Sequence, residues 1–403
     1  MDQPLFQTLT NCRLSGEPIQ DEEPIVTFHS VPIPGLFFKN AGEADKMRMP
    51  LTLIKSQSGL IQLKEILSET VYEHYLMRPA DAAHLNWIEF VVDEMYNSFP
   101  LSADILEVGG GQGHLMNALE KRGFSRLTNL DPAAKKVGKK AKFISGYFPA
   151  TLDNQNWNAQ YDCIVAQHLL EHLPQPLEFM KGASKYLKPD GELWIEIPDI
   201  ESAETDGYGQ LGFIYPLHQS YFTKKTLQKL GQKAGLCLKK IELVPHYGKS
   251  LWAKFSRKKA DAIEVPEESP LLVSTIKAYF QELNTFANAL PKELICWGAA
   301  ERPLSIFAQL SYSGIKATAI FDSNPHIHSL YPAGLNVPVL SPKDFPQNPA
   351  HLLILSPAFH AEILKGIWFR IGPETLIHIP LVGQFTRDNY PFFLDLTFDK
   401  ETK

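Results

Sequence analysis

The chain has 403 residues, 44% of them hydrophobic and 21% charged, and a formal net charge of -6 at pH 7. That length exceeds one ordinary core, so two or three domains are expected, and the acidic balance offers no basic field to a polyphosphate backbone, which argues against nucleic acid as a partner. Cys12, Cys163, Cys237 and Cys296 share no short spacing, against both a disulfide framework and a thiolate metal knot and in keeping with a reducing cytoplasm.

Residues 1–18 show no basic start followed by an apolar run, and no window approaches the ~18 apolar residues of a membrane span. A soluble, cytoplasmic protein without a membrane partner is expected. Residues 1–78 read as a small β-rich module of short, Pro-interrupted apolar pieces (EPIVTFHSVPIPGLFFKN, MPLTLIKSQSGLIQL), closed by the helix-like run LKEILSETVYEHYL. Over 79–255 the pattern alternates. AAHLNWIEFVVDEMYNSF has helical spacing, DILEV reads as a buried strand, HLMNALEKRGF as a helix, and RLTNLD and YDCIVAQ as strands, followed by the helix PLEFMKGASKYLKPDG and the strand ELWIEIP. Residues 256–285 form a polar break, SRKKADAIEVPEESP, and the start of an amphipathic helix. The alternation resumes over 286–403 with ELICWG, PLSIFAQLSYSG, ATAIFDSNP, HLLILSP and AEILKGIWFRIG. This order predicts an α/β protein: two Rossmann-like doubly wound domains preceded by the small β-rich N-terminal module.

The strongest local signal is DILEVGGGQGHLM, in which Glu107 ends a strand and Gly109, Gly111 and Gly113 alternate before a helix. Glycines are needed where the backbone turns tightly and a ligand approaches at contact distance, and the helix start beyond can face polar ligand groups. The next strand ends in Asp131, where a carboxylate can accept both hydroxyls of an adenosine ribose. The E-x-G-x-G-x-G spacing, with Asp131 after it, resembles the class I S-adenosylmethionine-dependent methyltransferases. That resemblance implies S-adenosyl-L-methionine as cofactor, ribose binding at Asp131 beside Pro132, and an adenine side at Gly146 and Tyr147. Gln167 and His168 end the next strand, where ligands of open sheets bind, and His168 is the stronger candidate than His172 for touching substrate.

The order NCRLSG, MPLTLIKSQSGLIQL, WIEIPD, YPLHQSYF, HYGKSL and ICWGAA…FDSNP…LLILSPAFHAEI is similar to that of the sugar C-methyltransferases, over nearly the whole chain. Members of that family methylate nucleotide-linked keto-deoxysugars, which implies a small-molecule sugar-nucleotide substrate and a C-terminal domain that helps hold it. The chain departs from the family twice. Cys12, Ser15, Lys55 and Ser58 stand where the family has two Cys-x-x-Cys pairs, a set that will not hold structural zinc, so no metal is expected there. Leu217 replaces the glutamate of the family's Tyr-His-Glu-His run, while Tyr215 and His218 survive.

A carbon acceptor must become an enolate, which needs a positioned base and a donor for the developing oxyanion. Tyr215 and His218 supply those groups, with Tyr75 as a further candidate. Lys249 is a candidate for the substrate diphosphate. An oxygen or nitrogen acceptor, or cofactor binding without catalysis, are the competing readings.

Overall fold

A computed structural model describes residues 4–19, 22–68, 71, 75, 82–133, 141–155, 160–205, 209–259 and 262–391. The N-terminal part holds strands β1 (Phe6–Thr8), β2 (Val26–Pro32) and β3 (Phe37–Phe38), helix α1 (Ala41–Asp45), then β4 (Arg48–Lys55), β5 (Ile61–Leu63) and β6 (Glu65–Leu67). The helix expected over 63–76 is not formed where the chain is described. Ile61–Leu63 pairs with β4, and Glu65–Leu67 pairs antiparallel with β1. The buried Arg13 guanidinium donates to the carbonyls of Leu63 at 2.7 Å and Gln219 at 2.8 Å, so tertiary pairing overrides local helical preference.

The central part runs α2 (Ala82–Ser98), β7 (Asp104–Val108), α3 (His114–Arg122), β8 (Arg126–Leu130), β9 (Lys142–Ile144), α4 (Ala150–Asn154), β10 (Tyr161–Gln167), α5 (Pro176–Tyr186), β11 (Leu187–Pro198), β12 (Ser220–Tyr221), α6 (Lys224–Lys233), β13 (Cys237–Val244) and β14 (Ser250–Ser256). Its sheet has the order β13-β14-β11-β10-β7-β8-β9. β7 to β11 pair in parallel, and β14 and β13 close one edge antiparallel. Near-continuous apolar runs such as Ile105, Leu106, Ile164 and Val165, all fully buried, suit strands covered on both faces. Chain order reverses between β7 and β10, and the crevice beyond the carboxyl ends there is the place for a ligand.

The C-terminal part comprises α7 (Leu272–Asn288), β15 (Glu293–Trp297), α8 (Glu301–Ser311), β16 (Lys316–Phe321), β17 (Tyr331–Pro332), β18 (Val339–Leu340), β19 (His351–Ile354), α9 (His360–Ile367), β20 (Leu376–Ile379) and β21 (Gly383–Phe385). The second doubly wound sheet has the order β18-β16-β15-β19-β20-β21. The expected α/β architecture is therefore observed. Two strand pairings stitch its parts together: β12 joins the N-terminal sheet through β5, and β17 pairs with β3. One core cluster unites Phe28 and Leu53 of the N-terminal sheet with Tyr279 of α7 and Phe307 of α8. No helix among the described residues is long and apolar enough to cross a membrane.

Candidate active site

The β7–α3 loop is built as its glycines suggest. Gly109, Gly111 and Gly113 have φ of +76°, +49° and +74°, values that a residue with a Cβ adopts only with strain. Gly110, which the alternating pattern passes over, is also required: a Cβ there would lie 2.3 Å from Glu107 Oε2 and 2.5 Å from Asn129 Nδ2. The Gly111 amide donates to Asp131 Oδ2 at 3.0 Å, and the Ala133 amide to Asp131 Oδ1 at 2.7 Å. Glu107 is buried and accepts a 3.4 Å hydrogen bond from Asn129 Nδ2. Burial, and after it the nearby Asp131 carboxylate, push the Glu107 carboxyl up to about 8.

The expected adenine side assembles next to this loop. The Gly146 amide donates to the Asp131 carbonyl at 3.3 Å, and Ser145 Oγ donates to the Pro132 carbonyl at 3.1 Å. Gly146 takes φ of +152°, and the Tyr147 ring is half-exposed beside it. Asp131, Pro132, Gly146 and Tyr147 thus lie together beyond the ends of β8 and β9. S-Adenosylmethionine carries a ribose diol and two cationic groups, an ammonium and a sulfonium. A carboxylate at the end of β8, a carboxyl near the end of β7 that a cationic ligand would ionise, and a glycine-rich loop between them fit it.

Beyond β10 lies a cluster of acids and histidines. His168 has φ of +47°; its Nδ1 is 3.3 Å from Glu171 Oε1 and its Nε2 3.1 Å from Glu196 Oε1. Burial alone would discharge the imidazole, but Glu196, and then the hydrogen bonds with Glu171 and Glu196, raise it to about 10. Glu196, fully buried on β11, also meets His246 Nδ1 at 2.6 Å and accepts from Gln167 Nε2 at 3.1 Å. Its carboxyl is held far below the usual range: burial opposes this, and the His168 charge and the histidine hydrogen bonds outweigh it. Glu196 and His246 were not legible as site residues. The first is one polar step in the alternating strand WIEIP, and the second precedes the motif Tyr-Gly-Lys-Ser-Leu by one position.

The Tyr215–His218 segment continues from this cluster. The His172 ring lies 4.7 Å from that of His218, which lies 4.5 Å from that of Tyr215 and stacks on Phe213 at 5.8 Å. His172 Nδ1–H donates to the Leu217 carbonyl at 2.9 Å, holding the segment over β10. Burial, followed by the positive charge around His172 and His168, keeps His218 well below 6.5 and therefore neutral. It borders a cavity of about 10 Å³, shared with Glu171, Asp199 and Tyr221 and big enough for about one water. Glu171 Oε2 is buried without a hydrogen-bond partner, which such a water would satisfy.

Across the segment, Tyr215 donates its hydroxyl to Glu301 Oε1 at 2.5 Å, and Tyr75 donates to Glu301 Oε2 at 3.1 Å. Burial, and then Glu301, raise the Tyr215 hydroxyl well above 10, so it stays protonated. Glu301 opens α8 of the C-terminal part. In the sequence it is a lone acid at a helix start, explained by the helix dipole alone, and no local signal ties it to Tyr215. The structure thus links Tyr75 and Tyr215 through Glu301, Tyr215 to His218, and His218 through His172 and Glu171 to His168.

The C-terminal turn repeats the loop geometry, since the Ala299 amide donates to Asp322 Oδ2 at 2.7 Å and Gly298 takes φ of +109°. In the N-terminal part Cys12 Sγ lies 3.2 Å from both Ser56 Oγ and Ser58 Oγ. Ser56, not Lys55, therefore faces Cys12; the Lys55 ammonium turns to Glu268 at 2.7 Å.

The family model for a methyltransferase domain matches residues 82–240. C-methyltransferase NovU of Streptomyces niveus is 22% identical over 261 residues, 62% of this chain and 61% of the relative. A ubiquinone biosynthesis O-methyltransferase of Actinobacillus pleuropneumoniae serotype 7 (strain AP76) is 31% identical over 102 residues, 22% of this chain and 43% of the relative. The chain thus spans less than two thirds of the length of these two curated relatives. Magnesium protoporphyrin IX methyltransferase from Synechocystis PCC 6803, solved with bound SAH, superposes with a TM-score of 0.35 and 13% identity over 46% of this chain and 91% of that one. Residues 82–240 match a methyltransferase domain, with S-adenosyl-L-methionine as the cofactor.

Proposed function

We propose that the whole protein transfers a methyl group to a carbon next to the keto group of a nucleoside-diphosphate-linked deoxysugar. The observation that carries this reading is the pair of hydrogen bonds from Tyr75 and Tyr215 to Glu301. A carbon acid needs a base and an oxyanion donor together, and here the neutral His218 ring lies against Tyr215, which with Tyr75 donates to the Glu301 carboxylate. Glu301, from the C-terminal part, supplies the carboxylate that Leu217 takes away from the segment itself. When bound, S-adenosylmethionine supplies an electrophilic methyl group. The chain's own residues then hold the cofactor (Glu107, Gly109, Gly111, Gly113, Asp131, Pro132, Gly146, Tyr147 and Gln167), take a proton (His218) and donate to the acceptor oxygen (Tyr215, Tyr75). Each tyrosine has a single O–H, so donation to the acceptor means that the hydroxyl turns from Glu301 to the substrate oxygen. In this reading the turn at Gly298 and Asp322 flanks the nucleotide of the substrate.

O-methylation of another small acceptor is the second reading, favoured by the similarity to the ubiquinone biosynthesis O-methyltransferase. It requires no carbon deprotonation. Incubating the protein with labelled S-adenosylmethionine and a panel of nucleotide-linked 4-keto-6-deoxysugars in deuterium oxide separates the two. Deuterium uptake next to the carbonyl, with label in the sugar, is expected. Label transferred to a hydroxyl without exchange would overturn carbon methylation.

A further inference from the structure

We propose that His168, Glu196 and His246 form a binding site for a divalent first-row transition-metal ion. The donors arrive from three separate pieces of chain: the residue after β10, the body of β11, and the turn between β13 and β14. His168 Nε2 lies 3.1 Å and His246 Nδ1 2.6 Å from the same oxygen, Glu196 Oε1, and all the donor atoms fall within 4.8 Å of one another. Bonds of about 2.1 Å place neighbouring donors about 3.0 Å apart around an octahedral ion and opposite donors about 4.2 Å apart. Shifts of a few tenths of an ångström would close the set around an ion, with no change in the strands.

The surroundings hold the donors as a metal site requires. Glu171 Oε1 engages the other nitrogen of His168 at 3.3 Å, and Gln167 Nε2 fixes the second oxygen of Glu196 at 3.1 Å. Such outer partners set ring orientation and ligand basicity. The His246 ring is clamped face to face on Trp87, with centroids 5.1 Å apart and planes 17° from parallel. His168 carries its ring into the cluster from a left-handed backbone, φ +47°, a conformation that costs free energy in a residue with a Cβ and concentrates at functional sites. Two carboxylates around one imidazole make the place attractive to a cation. Two imidazoles and one carboxylate suit Fe²⁺, Co²⁺ or Zn²⁺, whereas Mg²⁺ favours an all-oxygen set.

The site sits where β10 and β11 end, next to the cofactor crevice, and an ion there would polarise a carbonyl or hydroxyl oxygen of the acceptor. That role rests on the methyl-transfer reading; the binding itself does not.

The test is equilibrium dialysis of chelator-stripped full-length protein against Co²⁺, without cofactor or acceptor, with the visible d–d spectrum as a second readout. One equivalent bound, with a spectrum showing nitrogen ligation, is expected. His246→Asn, which can still donate to Glu196 and so preserve the fold, should abolish it. Glu171→Gln should weaken it by about 10–100-fold, and His218→Phe should leave it intact. No Co²⁺ above the level bound by an unrelated acidic protein would overturn the proposal, as would full binding by His246→Asn or loss of binding in His218→Phe.

Discussion

At Glu107 a carboxyl is buried beside the Asp131 carboxylate with one long hydrogen bond from Asn129, and its affinity for a proton follows. Between the ordinary carboxyl range and about 8 the folded protein holds a proton that the unfolded chain has released. The stability from this group is thus complete at low pH and is lost as pH rises through about 8. A cationic ligand favours the ionised form, so cofactor binding below about 8 should release a proton and tighten with rising pH by up to about tenfold per unit. Calorimetry at pH 7 in buffers of different ionisation enthalpy should report that proton, and Glu107→Gln should make the affinity independent of pH. His218 has the opposite sign. Its folded pKa is depressed, so its contribution is complete above about 6.5 and declines as pH falls, when the unfolded chain gains the proton. His218→Phe keeps a ring against Phe213 and Tyr215. It should melt within a few degrees of the parent at pH 7, resist acid better, and lose about 10²–10⁴-fold in turnover. Turnover equal to the parent's would remove His218 from the chemistry.

The β7–α3 turn shows why an element can be legible when its neighbours are not. Gly109, Gly111 and Gly113 announce themselves because the tight path of the chain acts within one short segment, and the structure gives those glycines positive φ. Gly110 hides inside the same run because its constraint is a side chain beneath it, not its own backbone. Gly110→Ala should cost about 1–3 kcal/mol through crowding of Glu107 and Asn129 and weaken cofactor binding at least about tenfold. Gly366→Ala, in α9 with nothing within 4 Å of the added Cβ, should leave cofactor binding unchanged and raise stability by up to about 1 kcal/mol; equal thermal shifts in the two variants would contradict this. The strand β6 reads as helix because LKEIL has helix-forming residues, while its pairing partner, β1, lies elsewhere in the chain. Glu196, His246 and Glu301 escaped for a related reason: each is an unremarkable polar residue in its own element and gains meaning only across a sheet or between domains.

For the whole molecule, the consequence is that the C-terminal part is tied directly to the segment carrying Tyr215. Helix α8 grips that segment through Glu301 to Tyr215 and through the Ile214 carbonyl, which accepts from Gln309 Nε2 at 2.9 Å and from Ser305 Oγ at 3.5 Å. The first contact joins chemistry-bearing groups and the second is a docking contact, so they can be separated by mutation. Glu301→Gln keeps the size of the side chain, removes its charge and presents one tyrosine with a donor in place of an acceptor. Hydrogen bonds to a charged group are worth about 1.5–3 kcal/mol, so turnover should fall about 10–150-fold. Cofactor affinity should be unaffected, because Glu107 and Asp131 lie in the central part. Gln309→Met breaks the docking contact, together with the 2.7 Å hydrogen bond that Tyr279 donates to Gln309 Oε1, and leaves Glu301 in place; it should lower the melting temperature while deuterium exchange into the acceptor, measured below the transition, persists. If instead the two variants lose exchange and stability in the same proportion, Glu301 only holds α8 in place and takes no part in the chemistry of Tyr215.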